Sequence, residues 1–326
     1  MPLADRNIRW GILGLGNIAH SFARDLLTVD GAQLYAVASR SPLKADEFAS
    51  AYGAVKSYSR YSELAEDKEV DAVYIATPHV FHREHSLMCL EHEKAVLCEK
   101  PLAMNTAEAA EMIAMAKEKK VLLMEALWTR FLPHYEHVMR LLKRNEFGKV
   151  MKMEADFGSD PEFDPGSRLF SKELGGGSLL DIGIYPVFAA LSALGVPDAI
   201  EARAAYFETG VDSDCTMNFF YHNGASAHLT CTMLKKTPST AAFHCEKGII
   251  KIHEKFFNPT SISWLTDAGE KTINFNVTDL GYSYEIKHFN TLLREGKTES
   301  PVMTFNFSRD LIKTLDRIRE KIGLTY

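Results

Sequence analysis

The stretch that decides the fold is Ile8-Arg9-Trp10-Gly11-Ile12-Leu13-Gly14-Leu15-Gly16-Asn17-Ile18-Ala19. Ile8–Leu13 is a run of strand length, and it leads into a G-x-G-x-x-A pattern at Gly14, Gly16 and Ala19. Such a pattern is weak by itself and gains value where it follows a strand and opens a helix. Asn17–Thr28 meets the second condition, because Ile18, Phe22, Leu26 and Leu27 recur at helical spacing. Gly14 then permits a tight turn, Gly16 lets a pyrophosphate approach the backbone, and Ala19 keeps the helix close to the sheet. The free N–H groups and positive dipole of the helix N-terminus favour phosphate.

Working outward, the pattern repeats. Gln33–Ala38 reads as a second strand, and Ser41-Pro42 as an N-cap with proline at the first helical position, leading into Lys44–Tyr52. Asp71–Ala76 is predicted as a third strand, Arg83–Glu91 as a helix, Ala95–Cys98 as a strand, Thr106–Lys119 as a helix and Val121–Glu125 as a strand. Apolar strands alternating with helices imply a doubly wound parallel sheet with helices on both faces. After Trp128 the pattern changes. Pro133–Arg144 is one more helix. Then Val150–Phe157, Ile200–Phe207, Thr216–Tyr221, Ser226–Met233, Ala241–Cys245, Ile249–His253, Ser261–Leu265 and Thr272–Asn276 read as strands, mostly separated by turn residues. They imply a large, mainly antiparallel open sheet. Helices near Tyr284–Arg294 and Ser308–Ile322 follow. The expected fold is α/β: a Rossmann domain over 1–126 and an α+β substrate and oligomerisation domain over 127–326, the last helices being able to pack back on the first domain.

The 326 residues are 46% hydrophobic and 25% charged, which excludes a disordered or coiled-coil chain. Lys plus Arg is 37 against 43 Asp plus Glu, a formal charge of −6, so no basic excess for nucleic acid exists. Apolar stretches such as Val187–Val196 fall short of the roughly 18 residues of a membrane span, and no membrane partner is expected. The segment MPLADRNIRW lacks an apolar core, and five cysteines without C-x-x-C suggest free thiols. A cytoplasmic location is the expectation.

About 20 residues beyond the glycines, an NAD enzyme usually places a carboxylate on the ribose 2′-hydroxyl. Here the stretch is Ala36-Val37-Ala38-Ser39-Arg40-Ser41, with no carboxylate. Arg40 can grip a 2′-phosphate bidentately, Ser39 can donate a hydrogen bond, and Lys44 adds charge. NADP is therefore favoured over NAD.

Two further constellations carry chemistry. Glu99-Lys100-Pro101 follows the strand Ala95–Cys98, where ligands of open α/β sheets sit. Gly175-Gly176-Gly177-Ser178-Leu179-Leu180-Asp181-Ile182-Gly183-Ile184-Tyr185 places Asp181 and Tyr185 at i and i+4, one face of a helix if Ser178 onward is helical. Pro186 argues for an irregularity there.

Taken together the chain resembles the glucose–fructose oxidoreductase and inositol dehydrogenase family (Gfo/Idh/MocA) over essentially its whole length. The resemblance rests on Gly14–Ala19, on Ala76-Thr77-Pro78-His79, on Cys98-Glu99-Lys100-Pro101 and on Gly175–Tyr185. Within the family it is most similar to the dimeric dihydrodiol dehydrogenase branch, whose members also oxidise D-xylose with NADP. Ala95–Pro101, Leu123–Pro133 and Tyr284–His288 carry that closer match. The resemblance implies that Lys100 and Tyr185 form the catalytic pair with Asp181 in support. It also implies that Thr77 and Pro78 line the cofactor, that the Lys100–Pro101 bond is often cis, and that the protein is a homodimer or a tetramer of dimers. Many family members carry His where this chain has Tyr185, so the sugar specificities of those relatives do not transfer.

The residue types suit alcohol oxidation. A phenol near pKa 10 is a poor base at pH 7. An ammonium about 4 Å from a phenolate favours it by roughly 4 kcal/mol at an effective dielectric near 20. The expectation is that Tyr185 exchanges the proton, Lys100 favours its ionised form, and Asp181 orients the substrate or Lys100. Trp128-Thr129-Arg130-Phe131 is a possible substrate wall, with Phe157, Arg168 and Tyr282 as weaker candidates. Aromatics there suit a dihydrodiol, whereas a sugar needs more hydrogen-bond partners. Arg130 or Arg168 would anchor an anionic substrate. His79, His82 and His85 form H-x-x-H-x-x-H without a completing carboxylate, so no metal is expected, and the series is read as a helix entry or as cofactor edge, His79 and His82 being the cofactor candidates. The competing reading is an NADP-sensing protein without turnover.

Overall fold

The computed structural model describes residues 6–326. They divide into two compact units. One runs up to Trp128 and takes in Thr278–Arg309; the other comprises Thr129–Val277 and Asp310–Tyr326.

In the first unit the elements in chain order are β1 (Ile8–Leu13), α1 (Asn17–Leu26), β2 (Ala32–Ala38), α2 (Pro42–Tyr52), β3 (Lys56–Tyr58), α3 (Tyr61–Glu66), β4 (Ala72–Ile75), α4 (His82–Glu91), β5 (Ala95–Glu99), α5 (Thr106–Lys119) and β6 (Leu123–Ala126). All strands pair in parallel in the order β3-β2-β1-β4-β5-β6. The central strands are apolar because both faces are covered: every residue of β4 and β5 is buried. The order reverses between β1 and β4, which opens a crevice beyond their carboxyl ends. The Ser41 side chain accepts from the Lys44 N–H, and Pro42 starts α2.

Two elements differ from the sequence expectation. β3 and α3 have no counterpart in it, so the predicted third strand Asp71–Ala76 is the fourth in the chain. β3 is only Lys-Ser-Tyr, half-buried at the sheet edge, and such a segment has no apolar signature. At the start of α3 the Glu63 carboxylate accepts the Arg60 N–H at 3.2 Å and the Arg60 guanidinium Nη2 at 2.7 Å.

Helix α8 (Tyr282–Arg294) also belongs to the first unit. Its N-terminus is capped from α1, since Asp25 accepts the Leu280 N–H at 3.2 Å and the Tyr282 N–H at 2.8 Å. Trp10 Nε1 donates to Asn290 Oδ1 at 3.1 Å, and Phe22 stacks on Tyr74 at 3.7 Å between ring centroids.

The second unit starts with α6 (Pro133–Lys143) and β7 (Val150–Gly158), followed after the glycine run by α7 (Ile184–Leu194). Strands β8 (Ala199–Tyr206), β9 (Asp212–Phe220), β10 (Ser226–Thr232), β11 (Ala241–Cys245), β12 (Gly248–Ile252), β13 (Ile262–Thr266) and β14 (Gly269–Ile273) complete it. The sheet order is β14-β13-β12-β11-β7-β10-β9-β8. Only the β7–β10 pair is parallel. Period-two alternation buries Cys215, Met217 and Phe219 of β9 and Ala227, Leu229 and Cys231 of β10 on one face, which packs against α7. β14 lies three residues earlier than predicted, because the turn at Asp267–Gly269 is tight and the chain beyond Ile273 leaves the sheet. The final helix, α9 (Phe305–Ile322), contributes residues to both units.

One expectation about apolar length needs correction. Lys172–Leu194 is long and apolar enough for a membrane span by composition alone, because the glycines and α7 read as one stretch. In the structure 78% of its apolar window is buried inside the protein.

Candidate active site

The glycine turn of the first unit has the geometry that a pyrophosphate needs. Gly14 has φ +89°, and a Cβ there would lie 2.8 Å from Thr77 Cγ2 and 3.0 Å from the Ala76 carbonyl carbon. Gly16 is the N-cap of α1 without a side-chain cap, and a Cβ on it would meet nothing within 4 Å. The opening backbone of α1, from Asn17 and Ile18, therefore faces open space, while Ala19 is fully buried against the sheet. These residues fit a dinucleotide.

The candidate 2′-phosphate residues cluster beyond β2. Ser39 is nearly buried and its Oγ accepts the Ser41 N–H at 3.2 Å. Arg40 and Lys44 are exposed. Tyr61 of α3 lies beside Arg40: burial pushes its phenol pKa up, and the guanidinium opposes that rise.

Beyond β4 and β5 the structure ties two turns together. His82 is fully buried, with Nδ1 2.8 Å from the Pro101 carbonyl and Nε2 2.9 Å from the Thr77 carbonyl. Burial holds its pKa down to about 4, so the ring is neutral near pH 7. A neutral imidazole has one N–H, which it can donate to one carbonyl at a time. Thr77 Oγ1 is 3.0 Å from His85 Nδ1, and the His79 ring lies 5.7 Å from that of His82. The histidine series thus faces backbone and neighbouring rings. Among the described residues no group of three His, Cys, Asp or Glu side chains is arranged for a metal ion.

The turn bearing Lys100 is held by buried acids. The Tyr74 hydroxyl donates to Glu99 Oε1, and Glu99 Oε2 accepts the Lys100 N–H at 3.2 Å. Glu125 of β6 accepts the Leu102 N–H at 2.9 Å, and the Lys100–Pro101 peptide is cis. Burial raises the Glu125 pKa to about 7.

In the second unit, Leu179–Gly183 is π-helical and passes into α7 at Ile184. The expectation of α-helical i, i+4 spacing between Asp181 and Tyr185 is corrected by this wider turn. Pro186 has no N–H to give the Ile182 carbonyl, and the ladder loosens just before it. Arg168 donates from Nη1 at 3.1 Å and Nη2 at 3.0 Å to Asp181 Oδ1. Tyr185 is nearly buried, and its ring lies 5.5 Å from Phe157 and 5.4 Å from Phe257. Phe157 and Phe257 stack at 3.9 Å.

The structure therefore joins Phe157 to Tyr185 and Arg168 to Asp181. It stacks Trp128 on Tyr282 at 4.5 Å, both almost buried within the first unit. Arg130 is half-buried and Phe131 buried, in a short 3-10 turn. Thr129, just before Arg130, donates its hydroxyl to the Phe257 carbonyl at 2.8 Å. Sequence reasoning missed Phe257, Tyr74, Glu125 and Asp212. Phe257 lies in a turn after β12 without a motif, and the loop is held by backbone hydrogen bonds from Lys255 and Phe256 to Pro238 and Ser239.

Comparisons with known proteins agree with this geometry. The profile of the oxidoreductase family with NAD-binding Rossmann fold matches residues 8–127, and that of the GFO/IDH/MocA C-terminal domain matches 135–251. Among curated proteins, the trans-1,2-dihydrobenzene-1,2-diol dehydrogenase of Xenopus tropicalis is 38% identical over 98% of this chain and 99% of its own length. The Homo sapiens protein of the same name is 36% identical over 98% of each chain. Among solved structures, KijD10, a 3-ketoreductase from Actinomadura kijaniata in complex with NADP and TDP-benzene, superposes with a TM-score of 0.88. It is 26% identical and covers 97% of this chain and 98% of its own. A binding protein without turnover does not account for this company of named enzymes. With its NAD(P)-binding Rossmann unit and its mainly antiparallel second sheet, the chain is an oxidoreductase belonging to the Gfo/Idh/MocA family.

Proposed function

We propose that the protein is an NADP-dependent dehydrogenase acting on a hydroxyl-bearing carbon of a small trans-dihydrodiol, sugar or polyol. The dihydrodiol heads this set. The observation that carries this ordering is the aromatic wall beside Tyr185, formed by the stacked Phe157 and Phe257. An apolar ring face suits the carbocycle of a dihydrodiol. The names of the curated relatives point the same way.

When bound, the nicotinamide supplies the hydride acceptor at C4 in oxidation. The Gly14–Ala19 turn and the start of α1 hold the pyrophosphate, Thr77 and Pro78 line the cofactor, and Arg40 with Ser39 and Lys44 engages the 2′-phosphate. Tyr185 takes the substrate hydroxyl proton as hydride leaves the carbon, and returns a proton in the reverse direction. Lys100 favours the ionised phenol, and Asp181, steadied by Arg168, orients the substrate hydroxyl.

The test is absorbance at 340 nm with NADP or NAD and a panel of trans-1,2-dihydrobenzene-1,2-diol, D-xylose, D-glucose and myo-inositol. Reduction of NADP by the dihydrodiol, with NAD at least tenfold poorer, is the expected result. Tyr185→Phe should cut turnover at least a hundredfold while NADP still binds. Near-normal turnover in that variant sinks the proton assignment, and equal use of NAD sinks the role of Arg40.

A further inference from the structure

The segment that carries Asp181 and Tyr185 is tethered at its start by one buried carboxylate. Asp212, the first residue of β9, is fully buried. Its Oδ2 accepts the Ser178 hydroxyl at 2.6 Å and the Leu179 N–H at 2.7 Å. Its Oδ1 lies where a Cβ on Gly177 would be, at 2.2 Å, and Gly177 has φ +109°. The carboxylate is thus wedged into the glycine run. On the far side of the π-helical turn, a Cβ on Gly183 would sit 2.7 Å from Cys231 Sγ of β10. Both ends of Leu179–Gly183 are therefore fitted against the sheet.

We propose that Asp212 is a positioning residue for catalysis, capping the start of the π-helical turn so that Asp181 and Tyr185 are held at fixed places relative to β9. This rests on the reading of Tyr185 as the proton-exchanging group. The physical reason is local. A π-helical turn leaves its opening N–H groups without the ordinary ladder, and a carboxylate at a helix start satisfies them while complementing the dipole. β9 is a suitable anchor because it is hydrogen-bonded on both sides, to β8 and β10. A catalytic group tethered to a rigid strand keeps its geometry better than one on a loop.

The electrostatic surroundings make the cap sensitive to protonation. Burial raises the Asp212 pKa to about 6, against the lowering effect of the Ser178 and Leu179 hydrogen bonds. The titratable groups beside it include Asp214 and Cys215 of β9, Cys231 of β10, Tyr206 of β8, and Tyr326, whose ring lies 5.5 Å from the Arg319 guanidinium. The charged cap is present above that pH and lost below it.

The experiment compares Asp212→Asn, Asp212→Ala and Ser178→Ala with the wild-type chain and with Tyr185→Phe. Two readouts are taken: amide hydrogen exchange of the 178–185 segment, and steady-state turnover of trans-1,2-dihydrobenzene-1,2-diol with NADP. In Asp212→Ala, exchange over 178–185 should rise at least tenfold with the first unit unchanged, and kcat should fall about a hundredfold with NADP affinity within twofold. Asp212→Asn keeps an acceptor without the charge, so it should lie between, and the fall of kcat below pH 6 should disappear from its profile. Ser178→Ala should lose a few-fold. If Asp212→Ala does not fold, Asp212→Asn and Ser178→Ala decide the matter. Unchanged exchange in the folded variants overturns the inference, as does NADP affinity falling in step with kcat. Full turnover by Tyr185→Phe instead overturns the reading of Tyr185, whatever the exchange data show.

Discussion

A glutamate in a strand interior is a costly residue, and Glu125 shows how this chain tolerates one. Its carboxyl accepts the Leu102 N–H beside the turn of Lys100, and burial raises its pKa from 4.5 to about 7. The folded chain therefore keeps a proton on Glu125 that the unfolded chain gives up at lower pH. Stability linked to that proton is complete below about 4.5 and lost as the pH rises through about 7. Glu125→Gln cannot lose a proton. Its stability advantage over the wild-type chain should widen by about 2 kcal/mol between pH 5 and pH 8, measured by urea unfolding at each pH. A gap that is constant or narrows on going to pH 8 would show that Glu125 is ionised throughout. At this scale the sequence was legible wherever a motif gathers its residues in a line, as at Gly14–Ala19, Glu99–Pro101 and Gly175–Tyr185. It was silent on Phe257 and Asp212, which meet their partners at separations in the chain where no spacing rule applies.

Elements were legible in proportion to their apolar content. β1, β4 and β5 announce themselves because both faces are buried, and α2 because Ser41 and Pro42 mark its start. β3 did not, being three half-buried residues at an edge, whereas Pro186 marks an irregularity in the 178–185 segment without fixing its π-helical form. The start of α8 depends on a residue more than two hundred positions earlier. Asp25 is nearly buried and accepts two of its backbone N–H groups. Asp25→Ala strands both donors, and should cost about 2–3 kcal/mol of stability in urea unfolding while leaving α1 helical. A loss below 0.5 kcal/mol would mean that water replaces the carboxylate at the helix start.

For the whole molecule, composition and the order of elements pointed to two sheets of opposite character, and the structure contains both. The sequence leaves room for the last helices to pack back on the first domain, and the first unit is discontinuous in that sense. Thr278–Arg309 completes it after the second unit has been passed in sequence, through the Asp25 cap and the Trp10–Asn290 hydrogen bond. A fragment ending at residue 128 should therefore unfold at markedly lower urea concentration than the first unit of the full chain, as read by far-ultraviolet circular dichroism. An equal midpoint would mean that α8 is dispensable. There is a consequence for synthesis. On the ribosome the nucleotide-binding half emerges first, yet Trp10 and Asp25 must wait for more than 250 further residues to be made before their partners leave the exit tunnel. During that interval the earliest-made part of the chain is the least finished, and it is there that a holding chaperone would have most to do.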